Sequence, residues 1–246
     1  MNSNRLHYLE TAAEAAARCA DLVLQQLRQA IEARGRATIA ISGGSTPKLL
    51  FAEMRKAEFP WTSLDWFFAD ERAVPPGDEQ SNYKLAADHM FTPLALAPAN
   101  IFRVEGEFGA DAAAKSYEAV IRDRFQLGQG ELPVFDVIQL GMGPDGHMAS
   151  LFPGGPWIEN RTGIAAPVHD SPKPPPDRIT LLPGVLLAAR SIVFLLAGAD
   201  KRNAVEHVLW GPADVKTYPS QLLARSDRPV EWFIADIPGL QLRNNP

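Results

Sequence analysis

Short runs that are apolar at most positions, without the strict alternation of a half-wet strand, at residues 37–41, 65–69, 134–140, 191–196 and 230–235, constrain the fold of this chain most. A strand with one wet face alternates polar and apolar residues. A strand that is apolar throughout is covered on both faces, as in a parallel sheet between two layers of helices. Helical patterns fill the gaps between these runs. Residues 8–34 place Leu22, Val23, Leu27 and Ile31 at helical spacing and end at Gly35, which suits a left-handed C-terminal cap. Residues 82–91, 110–127 and about 200–210 read as further helices. The expected architecture is α/β: a mostly parallel, Rossmann-like sheet with helices on both faces, in a single domain spanning 1–246. No repeat or linker-like shift in composition divides it. The proline-rich stretch 171–176 reads as a stiff extended loop within the domain. Aromatic residues in the strand-like runs (Trp66, Phe67, Phe68, Trp232, Phe233) are expected in the core.

Composition narrows the function. With 46% hydrophobic and 22% charged residues, the chain is neither disordered, collagen-like nor a coiled coil. Its net charge is −5 and no basic run is present, so no nucleic-acid partner is expected. An anionic ligand would be met by a few placed cations rather than by the field of the whole surface. The single cysteine, Cys19, can form no internal disulfide and reads as a small core residue in a reducing compartment. Neither a secretory leader pattern nor an apolar stretch of ~20 residues is evident. A cytoplasmic protein without membrane partners, monomeric or a small homo-oligomer, is the expectation.

In open α/β sheets ligands bind beyond the carboxyl ends of the strands, and the polar motifs here follow predicted strands. Ser42-Gly43-Gly44-Ser45 precedes a helix for which Thr46 is a candidate cap, with Pro47 in the first turn. Such a loop can hold an anion with backbone amides and the positive end of the helix, though the same residues also suit a plain tight turn. Asp70-Glu71-Arg72 offers a proton acceptor and an anion clamp, or a self-paired surface cluster. Gly141-Met142-Gly143-Pro144-Asp145-Gly146-His147 turns sharply out of a buried strand and presents Asp145 and His147. A histidine, with an unperturbed pKa of ~6.5, is a natural general base near neutral pH. Arg178 and Lys201 are candidate cations after the proline loop and at the start of a helix. His7, His89, His169 and His207 show no metal-ligand spacing, so neither metal nor cofactor is expected.

Taken together, the segments "ISGGSTP" at 41–47, "ADERAVPPGDEQSNY" at 69–83, "LGMGPDGHMASLFPG" at 140–154, "SPKPPPDRIT" at 171–180 and "AGADKRNAV" at 197–205 resemble the 6-phosphogluconolactonase family of the pentose phosphate pathway. That family looks related to glucosamine-6-phosphate deaminases and ribose-5-phosphate isomerases. The deaminases share the first segment and the Gly-x-Asp-Gly-His pattern. They usually follow the acidic pair with Tyr and the histidine motif with Phe-Asn-Glu-Pro, where this chain has Arg72 and Ser150-Leu151-Phe152-Pro153. Three positions depart from the lactonase pattern: Met148 where Thr is common, Leu182 where a second Thr is usual, and Leu187 where Asn is usual.

The resemblance implies hydrolysis of a phosphosugar lactone, 6-phospho-D-glucono-1,5-lactone. In that reading His147 is the base for water, and Asp70 or Asp145 orients the imidazole or a sugar hydroxyl. Ser42, Gly43, Gly44, Ser45, Arg72, Arg178 and Lys201 then meet the phosphate and the developing oxyanion. An amino-sugar-phosphate isomerase or deaminase is the rival enzyme. A sugar-phosphate sensor is the rival from another class, disfavoured because the first ~35 residues read as one helix rather than a helix-turn-helix.

Overall fold

The computed structural model describes residues 4–240. Nine strands are present among them: β1 (Asn4–Leu9), β2 (Ala37–Ile41), β3 (Leu64–Phe68), β4 (Asp70–Arg72), β5 (Val137–Leu140), β6 (Ala165–Val168), β7 (Arg178–Leu181), β8 (Ser191–Ala197) and β9 (Val230–Ala235). The helices are α1 (Ala12–Arg34), α2 (Ser45–Met54), α3 (Asn82–Ala86), α4 (Ala110–Phe125), α5 (Pro183–Ala188), α6 (Arg202–Trp210) and α7 (Gln221–Ala224). Six strands form one sheet in the order β1-β9-β8-β5-β2-β3, and every neighbouring pair in it is parallel. The remaining three form an antiparallel sheet, β4-β7-β6.

The five apolar runs become β2, β3, β5, β8 and β9 of the parallel sheet, four of them interior and β3 at its edge. Trp66, Phe67, Phe68, Trp232 and Phe233 are buried as expected, with Trp232 stacked on Phe194 at a centroid distance of 4.0 Å. Each such ring contributes roughly 1.5–3 kcal/mol through burial. Cys19 lies in this core, and burial pushes its thiol pKa well up, which leaves it unreactive. Among the described residues no helix is long and apolar enough to cross a membrane.

One expectation about elements is corrected. The helix read over 8–34 starts only at Ala12, after Thr11 caps it by accepting the Glu14 amide at 3.2 Å. The residues before it form the edge strand β1. That strand is polar in sequence because Glu231 on its neighbour β9 takes up Arg5 at 2.9 Å and His7 at 2.7 Å. Asp70-Glu71-Arg72 follows the end of β3 as expected, and it also forms a short strand of its own, β4, which the sequence did not mark. The Ala69 amide still bonds Ile41 of the parallel sheet at 2.8 Å, while its carbonyl accepts the Leu181 amide at 2.8 Å. The chain passes from one sheet to the other at this residue, and 70–72 pairs with β7.

The sheet order places the site. From β2 the chain steps outward to β3, then crosses back to β5 on the other side of β2. The loops leaving β2 and β5 therefore diverge at a topological switch point, where α/β sheets open a crevice. The exits of β3 and β8 flank it.

Candidate active site

A cleft of about 310 Å³ opens at this switch point. Ser42, Gly43, Gly44 and Ser45 from the β2 exit line it, as do Asp70 and Arg72 from β4, His147 from the β5 exit, Arg178 from β7 and Lys201 ahead of α6. Asp145 stands directly behind His147. Residues spread over much of the chain thus meet in one cleft.

The loop after β2 owes its shape to two glycines. Gly44 takes φ +115°, a region that disfavours any residue with a Cβ. A Cβ on Gly43 would lie 1.8 Å from Oδ1 of the buried Asn82. The capping role assigned to Thr46 is corrected: Gly44 occupies the cap of α2, no side chain bonds there, and Thr46 lies inside the first turn, lining the cleft. The first-turn amides of α2 therefore have no side-chain cap, and the positive end of the helix faces the cleft.

His147 is held at the end of the β5 loop. Its Nδ1 lies 2.5 Å from Asp145 Oδ1, and its ring is tilted 37° on Phe152 at 4.5 Å. Gly143 has no room for a side chain, since a Cβ there would come within 2.1 Å of the imidazole. The His147 side chain is 15% exposed, and Nε2 has no hydrogen-bond partner among the described residues. Burial opposes ionisation of Asp145, but the hydrogen bond and charge of His147, followed by the charge of Lys173, hold its pKa well below the usual carboxylate range. Asp70 does not touch the imidazole. Its carboxylate accepts from Ser150 Oγ at 2.7 Å and from Asn82 Nδ2 at 3.3 Å. Asp145, rather than Asp70, adjoins the candidate base.

The antiparallel register sets Arg72 directly across from Arg178. Like charges opposed across a ladder are unfavourable, and neither guanidinium forms an ion pair among the described residues. Arg72 donates to the Gln80 carbonyl at 2.5 Å, and its buried Nε has no partner. Arg178 is 4% exposed and donates to the carbonyls of Pro175, Lys173 and Pro174 at 3.0–3.2 Å. Burial, with the charge of Arg72 adding to it and that of Asp70 opposing it, lowers the Arg178 pKa. Lys201, its side chain 19% exposed, has only a loose contact with Asp200 at 3.9 Å. These cations, with the start of α2, make a receptor for an anion of more than one charge.

Sequence reasoning missed Lys173, whose Nζ lies 3.4 Å from His147 Nδ1 and 3.6 Å from Asp145 Oδ1. Its one signal was a lone cation within a stiff proline loop. Asn82 and Ser150, which hold Asp70, carried no signal, because short polar residues are common in loops and caps. Glu71, the second acid of its motif, faces away into protein and accepts the amides of Arg72, Asn82 and Tyr83, each at 2.7 Å. None of Met148, Leu182 and Leu187 lines the cleft, and the first two are buried in apolar surroundings. Among the described residues, no group of three or more His, Cys, Asp or Glu side chains is arranged to hold a metal ion.

Residues 10–232 match the family of glucosamine-6-phosphate isomerases/6-phosphogluconolactonase. A 6-phosphogluconolactonase of Rattus norvegicus is 37% identical over 230 residues, covering 90% of this chain and 87% of that one. Among solved structures, a 6-phosphogluconolactonase from Trypanosoma cruzi shares the fold with a TM-score of 0.84 at 24% identity, over 96% of this chain and 95% of that one. One from Shewanella baltica superposes with a TM-score of 0.82 at 27% identity, over 94% and 97%.

Proposed function

The chain belongs to the glucosamine-6-phosphate isomerase/6-phosphogluconolactonase family, and from that premise we propose that it hydrolyses 6-phospho-D-glucono-1,5-lactone to 6-phosphogluconate. One observation carries the reading: a single cleft holds a His–Asp pair together with two guanidiniums that lack carboxylate partners. The first is machinery for moving a proton, and the second is a seat for a phosphate.

In this mechanism the phosphate rests on Arg72, Arg178 and Lys201 and on the amides that open α2. Asp145 accepts a hydrogen bond from Nδ1–H of His147, which leaves the Nε2 lone pair for a water molecule. His147 takes a proton from that water as its oxygen attacks the lactone carbonyl. The carbonyl electrons move onto oxygen, where the neighbouring cations stabilise the charge. When the tetrahedral species collapses, the ring C–O bond breaks and the imidazolium returns the proton to the leaving oxygen. The substrate needs modest help, because a six-membered lactone locks its ester in the strained cis arrangement. Asp70, fixed by Ser150 and Asn82, is left to accept a sugar hydroxyl. We place the reaction in the cytoplasm, a compartment that suits the single buried Cys19.

The test is phosphogluconate formation from freshly made lactone, followed through a coupled dehydrogenase with enzyme sufficient to outrun spontaneous hydrolysis. Acceleration that is lost in His147→Ala is the expected result. Folded protein that gives no acceleration overturns the reading, and ammonia release from glucosamine 6-phosphate would then establish the deaminase instead.

A further inference from the structure

A second, rear cavity of about 230 Å³ is walled by Phe152, Trp157, Ile158 and Val168 together with polar residues that include His169 and Asp170. Phe152 links it to the cleft residues His147 and Arg178. It lines this rear cavity, yet its ring centroid is 4.5 Å from that of His147, and the Arg178 guanidinium carbon sits 5.5 Å over the same ring. The ring is only 5% exposed. Its backbone is pinned on both sides: the Leu151 amide bonds Met148 at 2.9 Å, and the Phe152 carbonyl accepts the Gly155 amide at 3.0 Å.

We infer that Phe152 is a positioning residue, one aromatic ring that aims the candidate base and the phosphate clamp together. The inference rests on the lactonase reading above. The polar contacts of the imidazole, with Asp145 at 2.5 Å and Lys173 Nζ at 3.4 Å, all fall on Nδ1, which permits the ring to tilt about that one edge. Contact with Phe152 removes that freedom and directs Nε2 into the cleft. Arg178 has Nε and Nη2 bound to carbonyls of its own loop. The aromatic face beneath the guanidinium fixes its plane and favours the cation through the ring quadrupole. The rear cavity makes the ring necessary, because a shorter side chain would leave open space for imidazole and guanidinium to lean into. A misplacement of about 1 Å at a reacting group can lower a rate on the order of 100-fold.

The experiment compares kcat and KM for lactone hydrolysis in the unaltered enzyme, Phe152→Leu and Phe152→Tyr, with folding checked by thermal melting. Phe152→Leu is expected to lower kcat roughly 10- to 100-fold and to raise KM roughly fivefold through Arg178. Phe152→Tyr, which restores an aromatic face, should recover most of both. In an Arg178→Ala background, Phe152→Leu should lower kcat but no longer raise KM. Phe152→Met serves in the same comparisons if the Leu variant does not fold. Active parent enzyme with kcat and KM in Phe152→Leu unchanged within twofold overturns the inference alone. A Tyr variant as impaired as the Leu variant, or a KM effect that persists without Arg178, also overturns it by showing a merely structural role. A parent that does not accelerate hydrolysis removes the lactonase reading and this inference with it.

Discussion

Gly43→Ala is the smallest perturbation of the cleft whose consequence can be worked through. The added methyl would lie 1.8 Å from Asn82 Oδ1 and 2.5 Å from Cγ, closer than any real contact. Backbone strain does not enter, because Gly43 lies outside the positive-φ region. The cost depends on whether Asn82 can yield. It is 2% exposed, and its Nδ2 donates to the Asp70 carbonyl at 2.9 Å and to Oδ1 at 3.3 Å. Swinging the amide aside therefore breaks its bonds to Asp70 and leaves buried polar groups unsatisfied, at about 1–3 kcal/mol each. Moving the loop instead costs a similar ~1–3 kcal/mol of overpacking and draws the α2 amides out of place. The cheaper route sets the loss, so about 1–3 kcal/mol is expected, or roughly 2–12 °C in Tm for a chain of this size. Urea unfolding followed by tryptophan fluorescence would measure it in four proteins: parent, Gly43→Ala, Asn82→Ala and the double variant. Removing Asn82 clears the space, so Gly43→Ala should cost under about 1 kcal/mol in that background. An equal cost with and without Asn82 would refute the steric account.

Further outcomes follow from the same geometry. His147→Ala should lose on the order of 10²–10⁴-fold in kcat if the imidazole is the general base; a loss below tenfold in the coupled assay would reduce it to a positioning role. Arg178→Ala should raise KM for the phosphorylated lactone and leave hydrolysis of unphosphorylated gluconolactone unchanged, and an equal effect on both substrates would remove Arg178 from the phosphate site. Asp145 is held ionised in the folded state below its unfolded pKa, so its stabilising contribution is complete above about pH 4 and is lost as pH falls further. The stability gap between parent and Asp145→Asn, measured by urea unfolding, should therefore narrow as pH falls below about 4; a gap that widens over that range would contradict the assignment.

The parallel sheet was legible because burial on both faces leaves nearly continuous apolar runs, as at 37–41 and 192–196. The edge strand β1 hid because only part of it is covered. Its Arg5 and His7 read as solvent-facing charges until Glu231 of β9 is seen to receive them. The antiparallel sheet hid for a related reason. β4, β6 and β7 are only three or four residues long, and β4 is wholly charged, so no periodicity marks them.

That hidden sheet explains why the two arginines meet. In sequence Arg72 and Arg178 lie far apart and are joined only through the family resemblance, and the pairing of β4 with β7 puts them face to face. The cleft residues that could be named beforehand all follow strands of the parallel sheet or carry a family motif. Lys173, Asn82, Ser150 and Phe152 also lie within the family-like segments but carry no role legible there, because each acts by touching another side chain. Phe152 shows the difference most plainly. Its sequence context, Leu-Phe-Pro, reads as ordinary core, and its meaning comes from a ring placed between an imidazole and a guanidinium on two different sheets' loops and strands. A contact of that kind is a product of topology, and it becomes visible only when β5 and β7 have been brought to the same cleft.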